Sequence, residues 1–190
     1  MRRRTAIIGG VAFVGLIGVA ACAPMQVRTY VPRDADIRKY HTYAWAPAGA
    51  FETGDPRLDN NTIFIAHLQS SVARQMARKG WVSAPANQAD LIIHFHARID
   101  QRLDLNDVPS DQGNEDSAGG PLVYDKGTLL LDFVEPRSNV LVWRGWAEGS
   151  VEGVIDNQAG MNEKIDAAVE RILATFPPMP VPSTAAAARP

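Results

Sequence analysis

LIIHFHARI, residues 91–99, alternates in side-chain character along its length. A period of two belongs to a β-strand, whose side chains point to opposite faces in turn. Leu91, Ile93, Phe95, Ala97 and Ile99 therefore share one face, and His94, His96 and Arg98 share the other. Such a strand has one buried face and one wetter face. The buried face needs a second layer to cover it.

Working outward, residues 127–134 (GTLLLDFV) and 139–148 (NVLVWRGWAE) read as two further strands. Only Glu135-Pro136-Arg137-Ser138 separates them, which implies an antiparallel hairpin. Leu129, Leu131 and Phe133 share a face, opposite Leu130 and Asp132. Upstream, residues 40–45 (YHTYAW) form an aromatic-rich strand that ends at Pro47, and residues 81–83 a short extended piece before Pro85. Residues 48–58, with Gly49, Gly54 and Pro56, read as a loop, as do residues 104–120, a long, mobile and acidic hairpin loop.

The second layer is also legible. Ile65, Leu68, Val72 and Met76 recur at spacings of three and four, a helical stripe that follows a cap at Asp59, Asn60 or Asn61 and stops at Lys79-Gly80. A second helix is expected over residues 161–176, with Ile165, Ala168, Val169, Ile172, Leu173 and Phe176 on one stripe. Pro177-Pro178 stops it. The order β–α–β–β–β–α predicts an α+β two-layer sandwich. It has a mostly antiparallel sheet of four to five strands and both helices on one face. The first strand, first helix and strand 91–99 form a right-handed crossover.

The chain ends are of a different kind. Three arginines, Arg2 to Arg4, precede an apolar run from Ala6 to Ala21, which is too short and glycine-interrupted to span a membrane comfortably. Residues 1–21 thus read as a secretory signal. The only cysteine, Cys22, follows Val19-Ala20-Ala21, an arrangement that resembles the lipobox of bacterial lipoproteins. The resemblance implies cleavage before Cys22 and acylation of its thiol. It also implies, because Ala23 rather than Asp follows, sorting to the outer membrane. Residues 22–38 read as a lipid-anchored tether with one short extended piece, 39–178 as the folded domain and 179–190 as a disordered Pro/Ala tail.

Without the signal the chain has 16 Lys and Arg against 21 Asp and Glu, a formal charge of −5. That balance argues against nucleic acid and against electrostatic binding to an anionic membrane surface. An acylated Cys22 leaves no thiol for a disulfide, so packing alone stabilises the domain.

The assembled pieces resemble a family of bacterial envelope lipoproteins, DUF4136, a domain of unknown function. The carriers are Tyr43-Ala44-Trp45, Lys79-Gly80-Trp81, Ala89-Asp90-Leu91-Ile92-Ile93-His94-Phe95-His96, Gly127-Thr128-Leu129-Leu130-Leu131-Asp132, Val142-Trp143-Arg144-Gly145-Trp146-Ala147 and Ile172-Leu173-Ala174-Thr175-Phe176-Pro177-Pro178. The resemblance implies location and fold, and no activity.

Candidate chemistry concentrates on the wetter face. His94 and His96 stand about 6–7 Å apart along a strand, a spacing suited to Zn²⁺ or Cu²⁺ if Asp132 supplies a third ligand. The simpler reading is a solvated face, since two histidines are not a metal motif. Arg144, between Trp143 and Trp146, either stacks on Trp146 or clamps a carboxylate or phosphate, or else pairs with Asp132 or Glu148 across the sheet. Trp45, Trp81, Trp143 and Trp146 suggest a sugar platform, although at least two of them are expected in the core. The acidic loop fits no calcium template, and no nucleophile elbow, zinc-protease motif or phosphate loop is present. The sequence therefore predicts a non-catalytic, cofactor-free binding module of the envelope, held to the membrane by its N-terminal lipid. Its partner-binding residues are His94, His96, Arg98, Asp132, Arg144 and Trp146, and its partner another envelope protein or peptidoglycan. The alternative is a metal-dependent hydrolase or redox protein using His94, His96 and Asp132.

Overall fold

The computed structural model describes residues 25–47, 58–59, 61–104 and 122–179. The expected signal, Cys22, most of both loops and the tail after Met179 lie outside them. The chain forms β1 (Gln26–Tyr30), a 3-10 turn (Ile37–Lys39), β2 (Thr42–Trp45), α1 (Thr62–Arg78) and β3 (Val82–Ser83). After these come β4 (Leu91–Asp104), β5 (Leu122–Glu135), β6 (Val140–Ser150) and α2 (Gln158–Ala174). One six-stranded sheet has the order β1-β6-β5-β4-β2-β3. The pairs β1/β6, β6/β5 and β5/β4 are antiparallel, while β2 runs parallel to both β4 and β3. The α+β sandwich is as expected, with six strands rather than four to five.

The difference lies in the two short extended pieces expected within residues 22–38 and at 81–83, both of which join the sheet as edge strands. The segment read as a tether supplies β1, whose Val27 pairs with Ala147 while most of its other side chains are exposed. So weak an apolar pattern does not mark the piece as part of the sheet; the edge of β6 supplies the order. β3 is only two residues long and completes the other edge. β4 and β5 also outrun their apolar patterns, pairing from Asp100↔Lys126 to Asp104↔Leu122. That polar extension has no buried face to mark it, and the backbone ladder alone continues it.

The caps are those the residue types favour. Asn61 Oδ1 accepts from the Phe64 amide at 3.0 Å, and Asn157 Oδ1 from the Gly160 amide at 3.2 Å. The chain leaves α1 through Gly80 at φ +84°, where the Trp81 amide reaches back to the Met76 carbonyl at 3.0 Å. Lys79 and Trp81 then hold the segment beyond α2: Lys79 Nζ donates to Phe176 O at 2.7 Å and Trp81 Nε1 to Pro177 O at 3.1 Å. Two of the sequence pieces that carry the family resemblance thus meet in space.

Both helices cover the same sheet face, on which Leu68, Val72, Met76, Leu91, Ile93, Phe95, Leu131, Phe133, Ile172 and Leu173 are almost fully buried. Phe176 sits among three aromatic rings, with centroids 4.4 Å from Phe133, 5.1 Å from Trp143 and 5.1 Å from Trp81. A bulge lets Trp143 into this cluster: Phe133 pairs with Trp143 but Val134 with Leu141, leaving Val142 as the extra residue. The next helix-side position is Gly145, where a Cβ would lie 2.2 Å from Trp143 Cη2 and 2.7 Å from Ile172 Cγ2. α2 lies that close to β6 because no side chain intervenes.

Candidate functional site

Opposite the helices the sheet is uncovered among the described residues, and its register places the six predicted residues in three adjacent rows. Asp132 on β5 stands between His94 on β4 and Arg144 on β6, with Tyr30 of β1 beyond. The next row is His96, Leu130, Trp146 and Arg28, and the third is Arg98, Thr128, Glu148 and Gln26. Parity in three separate strands therefore brings the set together, as the alternation at 91–99 implies. His96, Arg98, Arg28 and Tyr30 are exposed, while His94, Arg144 and Trp146 are half-buried.

Asp132 is the exception, buried at 6% exposure. Arg144 meets it in a fork: Nε donates to Oδ1 and Nη2 to Oδ2, each at 2.6 Å. The hydrogen bond to Asp132 raises the Arg144 guanidinium further above its already high value, against the opposing effect of burial. Of the sequence alternatives for Arg144, pairing with Asp132 is the one found. It also removes the third ligand that a metal reading of His94 and His96 requires. Among the described residues, no three or more His, Cys, Asp or Glu side chains are grouped to hold an ion.

Neighbouring charges are also mostly paired. Lys126 bonds Glu148, whose carboxyl this hydrogen bond holds below the usual range, with Arg28 and Arg102 adding to the effect. Arg98 donates from Nε to Asp100 Oδ1 at 2.7 Å, yet its side chain remains 71% exposed. Of the four tryptophans, Trp81 and Trp143 are core and Trp45 packs edge-on against Phe95 at 6.3 Å. Only Trp146 belongs to the open face, so a four-tryptophan sugar platform does not form.

Sequence reading missed two features. Asp90 Oδ2 accepts from the His41 amide at 2.8 Å, the Thr42 amide at 2.9 Å and the Thr42 hydroxyl at 3.0 Å. Burial pushes its carboxyl up, but these donors together hold it below the ordinary value. The carboxylate thereby fixes the entry of β2 beside β4, a structural duty. The second is a polar cleft of about 450 Å³ between the 3-10 turn, the β3–β4 connection and the β5–β6 turn, lined by Lys39, Asn87, Asp90, Glu135 and Arg137. These residues are far apart in sequence, and no motif announces their meeting.

The fold and this face define a class: a two-layer α+β sandwich with one sheet face left open. The chain belongs to the DUF4136 family, described as a domain of unknown function, whose sequence profile matches residues 27–178. No curated protein matches it in sequence. Among solved structures it is similar to a PDZ domain protein from Parabacteroides distasonis, at 14% identity and a TM-score of 0.55. That match covers 83% of this chain but only 37% of the other, so this chain spans little more than a third of that protein. A DUF4136 family protein from Bacteroides thetaiotaomicron matches at 13% identity and a TM-score of 0.48, over 77% of this chain and 95% of the other. A PelC dodecamer from Paraburkholderia phytofirmans matches at 15% and 0.44, over 80% and 96%. At these identities the likeness concerns the fold alone.

Proposed function

We propose that this protein is a lipid-anchored module of the bacterial cell envelope that binds a partner through its open sheet face and catalyses no reaction. The observation that carries this reading is the uncovered face itself, on which exposed His96, Arg98, Arg28 and Tyr30 surround half-buried Trp146 and the Arg144–Asp132 pair. An arginine-rich, aromatic-studded surface with a rigid central ion pair has the composition of a protein-binding patch. Another envelope protein is the partner that suits it. The anchor is read from residues 1–22, with Cys22 as the acylated residue, and Ala23 favours the outer membrane facing the periplasm.

The experiment is site-specific photo-crosslinking in living cells from position 96, with position 68 on the buried stripe of α1 as control. A discrete heavier adduct from 96 alone supports docking at this face, and no adduct from 96 counts against it. The anchor is checked separately by mass spectrometry of the mature N-terminal peptide. A diacylated Cys22 is expected, and an unmodified or uncleaved terminus would remove that part of the reading.

A further inference from the structure

The sheet ends on one side at β1, and among the described residues β1 pairs with β6 alone. In an antiparallel ladder, alternate residues turn their amide and carbonyl groups away from the partner strand. Beyond the ladder with β6, no backbone hydrogen bond among the described residues engages residues 26–31. The same edge exposes apolar side chains, with Tyr30 at 54% and Val31 at 46%. An open strand edge of this kind is a template for another strand. The opposite edge of the sheet offers little, since β3 is only two residues long and Pro85 lies just beyond it.

The sequence of β1 complements itself. When two copies of a strand pair about a two-fold axis, one residue faces its own copy and the other pairs are symmetric about it. With Thr29 at the axis, Arg28 lies opposite the partner's Tyr30 and Val27 opposite the partner's Val31. The pairs are then a cation beside an aromatic ring, two β-branched apolar side chains and two threonines, all favourable combinations across strands. Pro32, which has no amide hydrogen, stops the ladder. The other registers are worse. Arg28 at the axis sets two guanidiniums face to face, and Tyr30 there puts Pro32 opposite Arg28. Val27 at the axis leaves Tyr30 and Val31 without partners among the described residues.

We infer that the outer edge of β1 docks against the same edge of a second copy of this chain, with Thr29 at the two-fold axis. The pairing doubles the six-stranded sheet. Facing residues share parity, so both helix layers fall on one side and both open faces on the other. Arg28 and Tyr30 of each copy then lie at the centre of one enlarged open face. Only the short β3 edges remain outermost, so association stops at the dimer. The site is the strand's edge, and it stands apart from the partner reading proposed for the open face.

The test is cysteine trapping in the purified full-length protein under a glutathione redox buffer. An interface of about five facing pairs is small, so the dimer is weak and oxidation traps it. Facing residues have Cα atoms about 4.5–5.5 Å apart, within disulfide reach, whereas diagonal ones stand about 7–8 Å apart, beyond it. Thr29→Cys should therefore form disulfide dimers about tenfold faster than Arg28→Cys or Tyr30→Cys alone. Differently tagged Arg28→Cys and Tyr30→Cys, once mixed, should couple to each other. Adding Thr29→Lys to both sets two ammonium groups face to face and should lower that yield about threefold or more. Position 29 is exposed, so the melting temperature should stay as it was. Thr29→Cys no faster than its neighbours, or a mixed dimer indifferent to Thr29→Lys, overturns the pairing. Wild-type protein run alongside reports on Cys22. A disulfide dimer there refutes its acylation, and the same series on a Cys22→Ser background then decides the β1 pairing by the same outcomes.

Discussion

The two faces of this sheet are made by the same strands and do opposite work. On the helix side, Phe95, Leu131, Phe133 and Trp143 are 0–1% exposed and interlock with α1, α2 and Phe176. On the other, the same strands present His94, His96, Arg98, Arg144 and Trp146 to solvent in varying degree. Alternation lets one strand serve both purposes. The difference teaches that stability and the proposed recognition are separable here by parity: substitutions at the buried odd positions of β4 should act on folding, and those at even positions on binding.

The comparison breaks most easily from the covered face. Trp143→Ala removes a ring packed against both Phe133 and Phe176, and a loss of about 3–5 kcal/mol is expected in denaturant unfolding. Gly145→Ala probes the opposite error, overfilling. A Cβ 2.2 Å from Trp143 Cη2 forces helix and strand apart, at about 1–3 kcal/mol. A wild-type unfolding curve for Gly145→Ala would mean that α2 does not approach β6 this closely.

Asp132 is the charged position at which the open face behaves as core among the described residues. Asp132→Ala leaves the Arg144 guanidinium without its fork, at a cost of about 1–2 kcal/mol, moderated because that side chain is 40% exposed. Asp132→Leu combined with Arg144→Met should recover most of the loss. A double variant no better than the single would show the pair to hold more than itself. Charge reversal at Arg144 is accordingly a poor test of binding, since it puts two carboxylates in contact.

Asp90 gives the pH dependence its sign. Its folded carboxyl lies below the ordinary value, held there by the His41 and Thr42 donors against burial. Its contribution is therefore complete above the unfolded value of about 4 and fades as pH falls through the folded one. Asp90→Ala should be less stable than wild type at pH 7, with the gap closing in acid. A gap constant down to the lowest accessible pH would contradict the assignment. The smallest expected effect on folding belongs to Arg98→Glu, within about 0.5 kcal/mol of wild type, together with loss of the position-96 crosslink. Retained crosslinking would sever recognition from this face.

Much of the fold was legible because its signals are local. The period of two at 91–99, the helical stripes and the Glu135–Ser138 interval each express side chains partitioned between water and a core. The site was legible to the extent that parity is. His94, His96, Arg98 and Asp132 could be assigned to one face strand by strand, but nothing local said that Arg144 would take both oxygens of Asp132. Nor could periodicity find β1, since QVRTY becomes a strand only because β6 offers it an edge.

The sequence by itself determined the element order, the buried stripes and the two-faced sheet. Each follows from the spacing of residue types along a few turns or one strand. Tertiary structure alone decided which side both helices take, the six-strand order and the Arg144–Asp132 fork. These depend on contacts between residues distant in the chain, whose distances are set by packing rather than by pattern.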